Sequence, residues 1–384
     1  MVNLMKKFLL FYSLFFITAC GGQSDGWQSG KVIDLDKESP VSIFDLVDSV
    51  EIVQLETNDE YLIGSISEVL FFQDKYFIYD YQQQTVFCFD HSGKFIRRIG
   101  QQGRGPEEHA HLGSIAIDPY NEQLLLVVPF GSVLCFDLDG NFITRIEIPD
   151  AGAINELHVL DADKWLFASL NEYQILYFSK EENRITERLY EVRYIPFLLP
   201  PLNRLYTYNH TIFFLPIFDL ATINMSNDDR KAAYTWDFGA NNNSQREVES
   251  FLEYVENLQI RSREDYISYY EKINSTLNHL IYFNRESQRY RMAVLEYKND
   301  YLHLVFDKLE RKTVVFRETT EGIRWVYGSF MSNQDKVIVH DIGTNPFRDV
   351  TPYTKEIFSQ EQIKIVDSRT ESENPFLVVY HLKK

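Results

Sequence analysis

From residue 50 onward the chain is written in short apolar or alternating runs, each stopped by Asp, Asn, Gly or Ser. That is the pattern of strands with one or both faces buried. Val50-Glu51-Ile52-Val53-Gln54-Leu55 and Tyr76-Phe77-Ile78-Tyr79-Asp80 are two such runs. One longer pattern recurs: Phe87-Cys88-Phe89-Asp90-His91-Ser92-Gly93-Lys94-Phe95-Ile96-Arg97-Arg98-Ile99 matches Leu134-Cys135-Phe136-Asp137-Leu138-Asp139-Gly140-Asn141-Phe142-Ile143-Thr144-Arg145-Ile146. In each copy two strands flank Asp-x-x-Gly, where Asp opens a tight turn and Gly accepts the positive φ that closes it. Weaker echoes follow at 175–178 before Asn183-Arg184-Ile185, at 212–218 before Tyr234-Thr235-Trp236, at 301–306 before Thr313-Val314-Val315, and at 336–340.

The two clear copies are offset by about 47 residues, the length of one propeller blade. Setting aside about 45 residues of leader and tether and a similar helical stretch leaves roughly 300 residues, or about six blades. A sandwich or barrel of unrelated hairpins gives no reason for a constant offset. The chain is therefore expected to be all-β: a six-bladed β-propeller over residues 46–384 with a short α-helical insertion between blades four and five. The insertion is placed at about 244–287. Ser244 and Glu247 have capping-box spacing, and Val248, Phe251, Leu252, Val255 and Leu258 recur at helical intervals. Ser262 with Asp265 starts a second helix, whose apolar stripe runs through Ile267, Tyr270, Ile273, Leu277, Leu280 and Ile281 and packs on the propeller. Ring closure is expected to pair residues 376–381 with 50–55, which removes two exposed sheet edges. Cys88 and Cys135 occupy equivalent positions in adjacent blades, whose sheets stack about 10 Å apart, whereas a disulfide needs Cα atoms within about 7 Å. Both are expected to be free, buried thiols.

Composition supports this picture. Of 384 residues 45% are apolar and 24% charged, as in ordinary globular proteins, and 24 Tyr with 29 Phe favour pleated, half-buried surfaces. A net charge of -18 repels phosphate backbones and argues against nucleic acid as a partner. The basic pair Lys6-Lys7 precedes an apolar stretch at 8–17 that is too short to span a bilayer. Together they form a signal peptide over 1–19. Ile17-Thr18-Ala19-Cys20-Gly21 resembles a bacterial lipobox, so Cys20 is expected to be lipidated and to anchor the protein outside the cytoplasm, at the outer membrane. Residues 20–45, with a Gly/Ser/Gln-rich start, are expected to form a flexible tether.

At Ile99-Gly100-Gln101-Gln102-Gly103-Arg104-Gly105-Pro106-Glu107-Glu108-His109 the chain resembles the inter-blade loop Ile-Gly-x-x-Gly-x-Gly-Pro-Gly-Glu-aromatic of the six-bladed β-propeller lipoproteins of Bacteroidetes, relatives of NHL-repeat propellers. The strands at 50–57 and 76–80 and the closing Asn374-Pro375-Phe376-Leu377-Val378-Val379-Tyr380 extend the likeness over most of the chain. The sequence departs from the pattern at Glu107, where the family has Gly, and at His109, where it has an aromatic. The resemblance implies an extracytoplasmic binding or scaffolding role and supplies no catalytic residue.

If the first strand of each blade lines the channel, the turns after the second strands and the loops between blades share one face, the ligand face of propellers. That places Tyr79, Asp80, Tyr81, Phe130, Phe218, Asp219, Phe306, Asp307, His340 and Asp341 with Arg104, Glu107, His109 and His111 from the inter-blade loop. Such an aromatic and acidic rim suits a glycan, a peptide or a protein loop. The competing reading is that the aromatics fill the layers between blades and the acids cap turns. Gly22-Gln23-Ser24-Asp25-Gly26 matches a nucleophile elbow but lies in the tether, not on a strand-to-helix turn. Asp137-Leu138-Asp139-Gly140-Asn141 begins like a calcium loop but lacks its Gly and terminal Glu spacing and has a hairpin explanation, and His109-x-His111 has no Cys/His partners at ligand spacing. No metal, cofactor or catalytic residue is expected. The favoured function is a monomeric, non-enzymatic, lipid-anchored binding or scaffolding protein. The alternative is a propeller hydrolase or lyase acting on a glycan or peptide at the channel mouth.

Overall fold

The computed structural model describes residues 31–169, 171–191, 204–258, 262–325, 329–331, 335–340, 351–370 and 372–384. Six four-stranded antiparallel sheets form the blades. Blade 1 runs Ile66–Phe72, Lys75–Asp80, Thr85–Asp90, Phe95–Ile99; blade 2 runs Ser114–Asp118, Gln123–Val128, Ser132–Asp137, Phe142–Glu147. Blade 3 runs Ile154–Val159, Lys164–Ser169, Tyr173–Ser179, Arg184–Glu191; blade 4 runs Leu205–Tyr208, Thr211–Phe214, Ala221–Asn224, Ala232–Thr235. Blade 5 runs His279–Glu286, Tyr290–Tyr297, Asp300–Asp307, Lys312–Phe316. Blade 6 takes Ser329–Met331, Lys336–His340 and Phe376–Leu382 from the end of the chain and Val47–Gln54 from its beginning. First strands of successive blades pack on one another around the axis.

The repeated turns behave as their chemistry requires. Asp90 accepts from the amides of Ser92 and Lys94, Asp137 from those of Asp139 and Asn141, and Gly93 and Gly140 take φ of 85° and 80°. The blades are held by apolar layers between their faces. Phe77, Cys88, Leu126, Leu134 and Phe136 fill the layer between blades 1 and 2, and Val127, Cys135, Trp165 and Phe178 fill the next. Both thiols are free and buried in successive layers, and burial pushes them up to about 11 and about 12. Cys88 faces Leu134 and Phe136, while Phe87 and Phe89 face the opposite layer, toward blade 6.

The ring closes as expected. Val50 stands opposite Tyr380, Ile52 opposite Val378 and Gln54 opposite Phe376, so the first strand of the chain is the outermost strand of the last blade. Every other blade is made from continuous sequence, and this one stitches the two ends of the domain together.

Two boundaries differ from the sequence reading. Residues 31–45 are not a flexible tether: Leu35 is 0% exposed in the layer between blades 4 and 5, and Val41 and Ile43 enter the layer between blades 5 and 6. Backbone bonds from Ile33 to Asp237, from Ser39 to Val315 and from Thr320 to Val41 fix this clasp along blade 5. Its apolar residues are spaced too sparsely to read as a strand, yet each has a slot. The insertion is also shorter than expected. It holds two helices, α2 (Gln245–Glu256) and α3 (Arg263–Thr276), after a short α1 (Ile43–Leu46), and ends before His279. Residues 279–286, counted with the insertion, form the innermost strand of blade 5. A further helix, α4 (Gln360–Ser368), packs through Ile363 and Val366 on blade 6. No helix among the described residues is long and apolar enough to cross a membrane.

Candidate functional site

Within each blade the chain runs down the first strand and up the second. Turns after second strands and the loops between blades therefore share one face, here the upper face. Tyr79, Asp80 and Tyr81 lie there at the end of a second strand, but they do different work. Tyr79 is fully buried and donates to the Leu112 carbonyl at 2.7 Å. Asp80, also buried, accepts from the amides of Gly64, Ser65, Gln82 and Gln83 and so ties the turn to the incoming loop. Tyr81 stands out in solvent and meets His111 edge-on at 5.8 Å. Phe130, in the corresponding turn of blade 2, is 83% exposed, and its neighbour Pro129 lies against Gly113 at the end of the same inter-blade loop.

That loop, residues 100–113, is built around Glu108. Its carboxylate accepts from the amides of Arg104 and Gly105 at 2.7 Å and from Gln101 Nε2 at 2.9 Å. These backbone donors hold it below the usual carboxylate range. Gly103 is glycine because a Cβ there would lie 2.0 Å from Glu108 Oε2. His109 is buried, its Nε2 2.7 Å from the Gln84 carbonyl, and burial lowers its pKa. The motif that carries the resemblance is thus the loop's own scaffold. It leaves Arg104 and Glu107 exposed on the upper face.

The remaining rim residues scatter. Phe218 is half-buried and packs edge-on against Phe251 of α2 at 5.8 Å, and Asp219 caps the amides of Leu220 and Ala221. His340 ends the second strand of blade 6, and Asp341 and Cys20 lie outside the described residues. Phe306 and Asp307 are on the opposite face: they end the third strand of blade 5, not the second. Phe306 is buried, while Asp307 caps the Leu309 and Glu310 amides and pairs with Arg289 at 2.8 Å. The misplacement follows directly from assigning the blade's true first strand to the helical insertion.

The sequence reading missed the wall of the axial channel. Glu68, Glu156, His158, Arg204, Thr207 and Arg285 come from the first strands of blades 1, 3, 4 and 5 or the residue beside them. Glu156 Oε1 lies 3.2 Å from His158 Nε2, and His158 Nδ1 lies 2.9 Å from Thr207 Oγ1 on the next blade. Glu68 accepts from the Ile115 amide at 3.1 Å, and burial pushes its carboxyl up to about 7, with the charge of Glu156 adding to the rise and Arg285 opposing it. Burial lowers both Arg285 and Arg204, the latter to about 9. Each of these residues reads in sequence as the polar side of an ordinary strand; only closure of the ring turns them toward one another. No group of three or more His, Cys, Asp or Glu suited to a metal occurs among the described residues.

On the lower face a trough of about 450 Å³ follows the seam between blades 6 and 1, lined by Glu51, Phe71, Tyr76, His91 and Lys336 among others. The Lys336 ammonium sits 4.6 Å above the Phe71 ring, so that face is already covered.

A closed ring of six four-stranded blades, with its loops gathered over an axial channel, defines a six-bladed β-propeller. The chain belongs to the DUF4934 family, a domain of unknown function, which it matches over residues 30–381. A Bacteroides fragilis NCTC 9343 protein that is described as exported has a similar structure, at 16% identity and a TM-score of 0.70, over 91% of this chain and 98% of that one. A member of the DUF4221 family from Bacteroides vulgatus ATCC 8482 is similar at 10% identity and a TM-score of 0.52, over 90% of this chain and 99% of that one. No curated protein sequence matches.

Proposed function

We propose that this is an exported, lipid-anchored, monomeric propeller, related to NHL-repeat propellers, whose upper face binds a glycan, a peptide or a protein loop without transforming it. The observation that carries this reading is the rim of blades 1 and 2. There Tyr81, His111 and Phe130 share the upper face with Arg104 and Glu107, the Tyr81 turn being held by the buried Asp80 carboxylate and the inter-blade loop by Glu108 and its close-fitting Gly103. Rigid aromatics with a few charges make a surface that binds with little ordering cost. Export is supported by the leader at 1–19 and by the description of the Bacteroides fragilis relative in fold, and anchoring by the lipobox at Cys20. Mass spectrometry of the mature N-terminus should find an acylated Cys20; an unmodified start elsewhere contradicts the anchor. A glycan and peptide array probed with the mature protein should give ligands whose affinity falls about tenfold or more in Tyr81→Ala/Phe130→Ala. Full retention of binding in that variant contradicts the assignment of the face.

One observation favours a hydrolase instead. A carboxylate that accepts from His158 Nε2 leaves Nδ1 free to take the proton of Thr207, the order of a general-base relay. On that reading a fluorophosphonate ester probe labels Thr207, and His158→Ala abolishes labelling. An unlabelled protein leaves the binding reading standing alone.

A further inference from the structure

Arg204 directly precedes the first strand of blade 4 and belongs to the channel wall. Its Nη2 is buried without a hydrogen-bond partner. The carboxylates whose charges meet in this channel bond elsewhere, Glu156 Oε1 with His158 and Glu68 Oε2 with the Ile115 amide, and the charge of Glu156 is felt by Arg204 without a hydrogen bond to its Nη2. Arg285 reaches across from blade 5, donating Nη1 to the carbonyls of Asn284 and of Leu205, the residue after Arg204. A second guanidinium is thereby set against the same stretch of wall. A cation whose buried donor is unfilled is costly to keep, and a fold retains one most readily where an acceptor arrives from outside. Guanidinium geometry matches the paired oxygens of a carboxylate or phosphate.

We infer that the axial channel, beside the first strand of blade 4, binds an oxyanion, a carboxylate or phosphate group borne by a small ligand, with Arg204 as its anchoring cation and Arg285 reinforcing the positive field. The raised Glu68 carboxyl supports this, because near neutral pH it carries only part of its negative charge and leaves the cations in excess. The site does not depend on the exposed rim of blades 1 and 2, so the two assignments can fail separately.

The test is calorimetric titration of the mature protein with D-glucuronate, with inorganic phosphate and, as an uncharged control, with D-glucose, all at constant ionic strength. Saturable binding of at least one oxyanion, absent for glucose, is expected. Response to glucuronate alone identifies a carboxylate ligand, response to phosphate alone a phosphate ligand, and response to both the shared chemistry. Arg204→Gln should abolish the heat, and Tyr81→Ala/Phe130→Ala should leave it unchanged. Should the Gln variant fail to fold, Arg204→Lys, which keeps the charge but not the fork, should weaken binding about tenfold. Failure of both oxyanions to bind the wild-type protein, or undiminished binding after substitution of Arg204, overturns the inference.

Discussion

Blades 1 and 2 and blades 4 and 5 solve the same packing problem in different ways. The layer between blades 1 and 2 is almost wholly apolar, and its turns are closed by their own carboxylates, Asp80, Asp90, Asp118 and Asp137. Between blades 4 and 5 the strands are unequal, four residues in Leu205–Tyr208 against eight in His279–Glu286, and polar groups enter the interior. Tyr206 and Tyr234 share a bond between hydroxyls at 3.0 Å, Asn284 donates to Thr222 at 2.6 Å and accepts from Trp236 at 3.3 Å, and buried Glu286 accepts from Lys308 at 2.9 Å and from Arg291 at 3.3 Å. The residues 31–45 clasp then covers what the unequal blades leave open. Where strands match in length, an apolar layer and local turn chemistry suffice. Where they do not, the chain recruits a hydrogen-bonded network and a distant segment.

Substitutions can separate the two designs. Phe77→Ala in the apolar layer opens a cavity at a fully buried site and should cost about 4 kcal/mol in denaturant unfolding, at any pH and salt concentration. Glu286→Ala removes the carboxylate that Arg291 and Lys308 share and should cost about 3 kcal/mol, with Glu286→Gln recovering part of the loss. If the alanine variant is as stable as wild type, the polar layer contributes nothing and the contrast fails. The channel gives a smaller, pH-dependent effect. Glu68 has a folded pKa of about 7 against an ordinary 4.5, so the stability tied to its protonated form is complete below pH 4.5 and lost as pH rises through about 7. Glu68→Gln should therefore be roughly 2 kcal/mol more stable than wild type at pH 8 and no more stable at pH 4.5. An equal difference at both pH values would show that Glu68 is not buried as a carboxyl. Smallest of all, thiol titration of the mature protein should find Cys88 and Cys135 unreactive while folded and both reactive once denatured.

How much was legible in the sequence follows the same divide. Asp-x-x-Gly turns at Asp90 and Asp137 announce hairpins by chemistry alone, so blades 1 and 2, the blade count and the free thiols could be read directly. In blade 5 the spacing of Leu277, Leu280 and Ile281 fits a helix as well as a strand, and short apolar runs do not settle the period. That ambiguity sent Phe306 and Asp307 to the wrong face. Ser359 and Gln362 have capping-box spacing and mark the start of α4 by local chemistry alone. Of the rim, Tyr81, Arg104, Glu107, His111 and Phe130 stand where turn positions place them, whereas Tyr79, Asp80 and His109 are absorbed into scaffolding, the competing reading for aromatics and acids at turns. The channel residues lie far apart in sequence and carry no local signature, because ring closure alone brings them together.

The part of the ring bearing the exposed rim thus stands by itself, while blades 4 and 5 depend on the clasp. Hydrogen exchange on the mature protein, compared with a variant lacking residues 31–39, tests it most directly. That deletion removes Ile33, Leu35 and the bond from Ser39 to Val315 while keeping Val41 and Ile43. Protection should be lost in Ala232–Thr235, Asp300–Asp307 and Lys312–Phe316, with Lys75–Asp80, Thr85–Asp90 and Ser132–Asp137 unchanged. Equal loss around the whole ring, or no loss in blades 4 and 5, would contradict it.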